Sequence, residues 1–92
     1  MSRRVLVVDR SPHIHRLVEV NLHRVGYEVE AAVNADEAVI RMRGKQPDVL
    51  LMSMALPEEE RRFLREWTEA EERAGQIRVV ELRSGRSPAR QV

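Results

Sequence analysis

The feature that most limits what this chain can fold into is the run Val5-Leu6-Val7-Val8, closed by Asp9 and followed at once by Ser11-Pro12. A strand that is apolar at consecutive rather than alternate positions buries both faces, so its sheet needs helices above and below. Ser11-Pro12 opens the first of them: a hydroxyl N-cap, then a residue whose missing N–H costs nothing in the first helical turn. The pattern returns at Val49 to Met54, apolar except for Ser53, entered through Pro47-Asp48 and left through Pro57. Central strands that alternate with helices imply a parallel sheet with right-handed crossovers.

The remaining segments fit that scheme. Ile14, Leu17, Val18, Leu22 and Val25 recur at three- and four-residue steps, which predicts a helix from about Pro12 to Val25 with Gly26 as its stop. Tyr27 to Val33 alternates acidic and apolar residues, as a strand at a sheet edge does. Asn34 and Glu37 make a capping box for a short helix that buries Ala35, Ala38, Val39 and Met42 and ends at Gly44. From Glu58 to Ala74 the chain is helix-prone, with Phe63, Leu64, Trp67, Ala70 and Ala74 as its core stripe and Glu58/Arg62 and Glu69/Arg73 spaced as ion pairs. Ile77 to Leu82 reads as a fourth strand. Residues 1–83 thus form one domain, and residues 84–92 are expected to be a mobile Arg/Ser/Pro tail.

Ninety-two residues cannot house two independent cores. With 42% apolar and 34% charged residues, wholesale disorder is disfavoured. Sixteen basic against fifteen acidic side chains leave a net charge of +1, too little to steer the chain globally to nucleic acid or an anionic membrane. The absence of cysteine excludes disulfides, thiolate metal sites and cysteine nucleophiles, and favours a cytoplasmic setting. No apolar stretch near the amino terminus reaches the length of a signal-peptide core or a membrane span.

The order and detail of these pieces resemble the receiver domain of bacterial two-component response regulators. The resemblance is carried by Val5 to Asp9, Ser11-Pro12, the stretch Leu22 to Val29, Asn34-Ala35-Asp36-Glu37-Ala38 and Pro47 to Met52, and it covers the chain from about Arg4 to Leu82. It implies an α/β, three-layer, flavodoxin-like fold whose parallel sheet is shortened to about four strands, order 2-1-3-4, with three helices. It also implies a phosphorelay role. In the family, two carboxylates after the first strand and an aspartate at the end of the third gather a divalent cation, and the last is phosphorylated. A hard cation wants several oxygen ligands, and an acyl phosphate needs a carboxylate.

Here Asp9 stands at the first position, but Arg10 replaces the second acid and Ser53 the acceptor aspartate. Arg10 is a permanent cation expected to repel a metal and to pair with Asp9, leaving a remnant of the acidic pocket. The family's switch hydroxyl aligns with Arg83, or with Ser84 after a one-residue slip. Arg10 and Arg83, both at the carboxyl ends of strands, form a candidate anion site. His13, His15 and His23 lack metal-ligand spacing and are assigned to the surface of the first helix. Trp67 and Phe63 read as core rather than as a stacking platform. Neither catalysis, a metal, a cofactor nor a small-molecule substrate is expected.

Relative to the family, the sequence stops short of a fourth helix, a fifth strand carrying a lysine and a fifth helix. The resemblance therefore implies that one sheet face and the fourth strand are uncovered, exposing Val79, Val80, Leu82 and one side of Val49 to Met54. The expected partners are a second copy, as a homodimer, or another signalling protein. The leading reading is a phosphorylation-incompetent receiver acting through protein contacts. Two alternatives remain: a receiver that retains phospho-acceptor activity through Asp9, and a small nucleic-acid-associated regulator using the basic tail of Arg83, Arg86 and Arg90.

Overall fold

A computed structural model describes residues 3–71 and 74–83. The proposed tail, Ser84 and the pairing of Arg73 lie outside the described residues. Four strands, β1 (Arg4–Val8), β2 (Glu28–Ala32), β3 (Val49–Ser53) and β4 (Arg78–Leu82), form one parallel sheet in the order β2-β1-β3-β4. Between them run α1 (Pro12–His23), α2 (Ala35–Gly44) and α3 (Glu58–Ala70), with a single 3₁₀ turn at Ala74–Gln76 before β4. The expected strand order and element sequence are thus observed.

Local chemistry starts each helix. Ser11 Oγ accepts the Ile14 N–H at 3.4 Å, with Pro12 in the first turn. Asn34 Oδ1 accepts the Glu37 N–H at 2.8 Å, while Glu37 Oε1 reaches back to the Val33 N–H at 2.8 Å, closing a capping box around α2. The first helix stops at His23, two residues earlier than expected, and the chain turns through Gly26 at φ 95°, a conformation that favours glycine. The third stops at Ala70 rather than Ala74. Its last turn carries no basic residue, so nothing there complements the negative end of the helix dipole, and Glu69 and Glu71 oppose it.

The two faces of the sheet are packed unequally. On one, Leu6, Val8, Leu50 and Met52 meet Ala38, Val39 and Met42 of α2 and Leu64 of α3 in a continuous core that includes Leu56 and Ile77. The expected stripe of α3 is rotated: Leu64 and Thr68 are buried, Trp67 is half-buried, and Phe63 and Ala70 are exposed. Residues 64 and 68 sit one turn apart at the centre of the buried face, which leaves 63 and 70 on its flanks. Thr68 tolerates burial because its hydroxyl donates to the Arg65 carbonyl at 2.9 Å.

On the other face Val5 and Val7 are buried, yet α1 contributes no fully buried residue. Ile14, Val18 and Leu22 are half-buried, but Leu17 and Val25, expected in the same stripe, are exposed, as is Val20. Leu51, Val80 and Leu82 on this side are half-buried. Val79 is a correction: strand alternation turns it away from Val80 and Leu82, and it packs against the α2/α3 core instead of facing the uncovered side.

A charge network closes the outer strand. Arg4 pairs with Glu28 at 2.7 Å and with Glu30, and Arg41 of α2 approaches Glu30 at 3.6 Å. Charged side chains on an edge strand discourage further pairing.

Candidate functional site

The carboxyl ends of β1 and β3 lie side by side because Val8 and Met52 are paired in register. Asp9 therefore stands next to the end of β3, where Ser53 is fully buried, and Asp9 itself is 3% exposed. One carboxylate oxygen of Asp9, Oδ1, accepts the Ser11 N–H at 2.7 Å, a short loop that leads into α1. The other, Oδ2, is buried without a hydrogen-bond partner. Ser53 Oγ accepts the Ala55 N–H at 3.0 Å, so the hydroxyl organises the turn that leaves the strand.

Arg10 does not pair with Asp9, contrary to the sequence-based expectation. Its guanidinium is largely exposed and donates to Glu60 Oε2 at 3.2 Å. The reason is tertiary. Asp9 points into the sheet layer while its neighbour points out, and the first turn of α3 brings Glu60 within reach of the outward side chain. Glu60 uses its second oxygen, Oε1, to accept the Ala35 N–H of α2 at 2.9 Å. One glutamate thus ties the amino ends of α2 and α3 to the loop after β1, and its negative charge sits at the positive end of α2.

Two further groups support this end of the sheet. Arg61 Nε donates to the Leu56 carbonyl at 3.1 Å and holds the loop between β3 and α3. His15, assigned to the surface from sequence, is half-buried, and its Nε2 bonds the Asp9 carbonyl oxygen. Its spacing, one helical turn beyond the Ser11 cap, was the available signal. Arg83 is exposed at the end of β4, with no ion pair among the described residues. No group of three or more His, Cys, Asp or Glu able to hold a metal ion occurs among the described residues, and no helix among them is long and apolar enough to cross a membrane.

No family model matches the chain. Over 57 residues, 62% of its length, it is 35% identical to the alkaline phosphatase synthesis transcriptional regulatory protein PhoP of Bacillus subtilis, and that stretch spans 24% of the regulator. It superposes on the chemotaxis response regulator CheY4 of Vibrio cholerae with a TM-score of 0.82 at 24% identity, over 99% of this chain and 76% of that one. It superposes equally on the signal receiver domain of a signal transduction histidine kinase from Syntrophus aciditrophicus, with a TM-score of 0.80 at 25% identity, over 96% and 67% of the two chains. Strand order, helix placement and this similarity give the chain the fold of a response-regulator receiver domain, here with four strands among the described residues. The chain spans about a quarter of the curated relative it matches.

Proposed function

We propose that this receiver domain does not take up phosphate by the aspartyl route and that its output, in the cytoplasm, is contact with other proteins, either a second copy or a signalling partner. The observation that carries the reading is the pair of side chains at the ends of β1 and β3. Where an acyl phosphate would need a carboxylate there is the buried hydroxyl of Ser53, already engaged with the Ala55 N–H. Where a second acid would help gather a cation there is the guanidinium of Arg10, held by Glu60.

The divalent cation that the fold family implies does not fit these residues. Asp9 offers one free oxygen, Ser53 a neutral hydroxyl, and the next residue brings a positive charge, whereas a hard cation takes several oxygen ligands and favours negative charge around it. Incubation with acetyl phosphate and magnesium, followed by intact-mass measurement, is expected to leave the chain unmodified. The variant carrying Arg10→Asp and Ser53→Asp is the counterpart in which uptake is expected. Phosphoryl gain by the unmodified chain would overturn the reading.

One observation favours the alternative of residual acceptor activity. The unpartnered Oδ2 of Asp9 is a carboxylate oxygen whose lone pairs are not engaged by the protein. The same measurement, with Asp9→Asn as control, separates the two.

A further inference from the structure

We propose that the outer face of α2 and α3 docks a second copy of this chain, helices antiparallel, about a two-fold axis at the level of Ile40. The inference rests on the reading that protein contacts are this domain's output, and it specifies where and how one of them forms. Ile40 of α2 is 69% exposed and Phe63 of α3 is 44% exposed, although each adjoins a core residue in the chain, Val39 and Leu64 respectively. One step along a helix turns the side chain by about 100°, which carries both residues off the buried stripe and toward solvent.

The two residues form one apolar patch. Both helices are crossovers of a parallel sheet, so they run in the same direction. Glu60 accepts the Ala35 N–H, and Met42 and Arg43 share a groove with Trp67, contacts that set the first turns side by side and the last turns likewise. Ile40 and Phe63 therefore lie level, midway along. Each is on the flank nearer the other helix: across α2 from Ile40, Arg41 turns to Glu30 of β2, and across α3 from Phe63, Arg65 and Glu69 line a groove with β4.

The charges around the patch select the occupant, because they are self-complementary in one arrangement. Asp36 stands a turn before Ile40 and Arg43 a turn after it, on the flank that faces α3; Arg62 and Glu66 lie on the outward side of α3, before and after its midpoint. A two-fold axis lying in the interface and across the helices lays α2 on α2 and α3 on α3 in opposite directions. Ile40 then meets Ile40 of the second copy, Asp36 meets Arg43 of the second copy, and Arg62 meets Glu66 of the second copy, each charge contact made twice by the symmetry. An axis along the helices instead brings Asp36 to Glu59 of the second copy, a like-charge contact. Among the described residues Asp36, Arg43 and Glu66 have no ion pair, and Arg62 has only an exposed one with Glu58 at 3.7 Å.

Sedimentation equilibrium of the whole chain over a concentration series is expected to show a monomer–dimer equilibrium with a midpoint on the order of 50 μM, in keeping with a small interface. Ile40→Glu sets like charges opposite each other on the axis and is expected to weaken the dimer about tenfold or more; the fold stays intact because the side chain it replaces is exposed. Arg62→Glu and Glu66→Arg are each expected to weaken it a few-fold, and the two together to restore it, an outcome that a folding defect does not produce. Because the chain has no cysteine, Ile40→Cys is expected to form a disulfide-linked dimer on oxidation much faster than Val20→Cys on α1. A monomer up to about 500 μM overturns the proposal. So does a dimer that Ile40→Glu leaves unchanged, or one that cross-links faster through Val20→Cys than through Ile40→Cys. Any of these results, with no phosphoryl uptake, leaves the functional reading standing; phosphoryl uptake by a chain that dimerises through Ile40 overturns that reading and not this one.

Discussion

The two faces of the sheet carry similar aliphatic residues but are finished differently. Beneath α2 and α3, Leu50, Met52 and Leu64 are fully excluded from water and belong to one continuous core. Beneath α1, Val5 and Val7 are buried by the sheet and the helix, yet no residue of α1 reaches full burial, and Leu17 and Val20 are more than half exposed. The difference teaches that a strand's apolar content does not set how tightly a face is packed; that depends on how many helices cover it. Among the described residues, the first face has two helices over it and the second has α1 alone.

This comparison can be broken by substitution. Leu64→Ala, which opens a cavity in the two-helix layer, is expected to cost about 2–5 kcal/mol in urea unfolding. On the other face Val7→Ala removes two methyl-sized groups from a buried site and is expected to cost about 1.6 kcal/mol, at roughly 0.8 kcal/mol for each; a loss as large as that of Leu64→Ala would erase the distinction. Asn34→Ala, which removes the cap of α2, is expected to cost about 1 kcal/mol and to speed exchange of the first α2 amides. Leu17→Ser, on the exposed side of α1, is expected to change stability by less than about 0.5 kcal/mol. Native-state hydrogen exchange sharpens the comparison without mutation: the amides of α1 are expected to exchange ahead of those in the middle of β1 and β3.

Where the sequence was legible, the signal was local. The consecutive apolar runs predict both central strands, Ser11-Pro12 predicts the start of α1, and Asn34 with Glu37 predicts the start of α2, because caps and strand patterns act over a few residues. The burial of Asp9 and Ser53 follows from their places at the ends of those runs. The partner of Arg10 was not legible. Asp9 is its neighbour in the chain, but Glu60 lies 50 residues on and reaches it only after α3 is docked. The role of Glu60 was not legible for the same reason, whereas the contact of His15 with the Asp9 carbonyl is local and was masked by the exposed-looking pattern of the helix around it. The phase of α3 was ambiguous because Phe63 and Leu64 are adjacent and only packing decides which one turns inward.

By itself the sequence determined the α/β alternation, the starts of α1 and α2, the central position of β1 and β3, and the replacement of acids by Arg10 and Ser53. Those properties depend on side-chain chemistry and on neighbours within one or two turns. Only the tertiary structure decided that Arg10 turns to Glu60, that Asp9 keeps an unpartnered oxygen, that Val79 and Val80 serve opposite faces, and that α1 remains half-open. Each of these is a choice among partners far apart in the chain, and such choices are made by the geometry of packed layers.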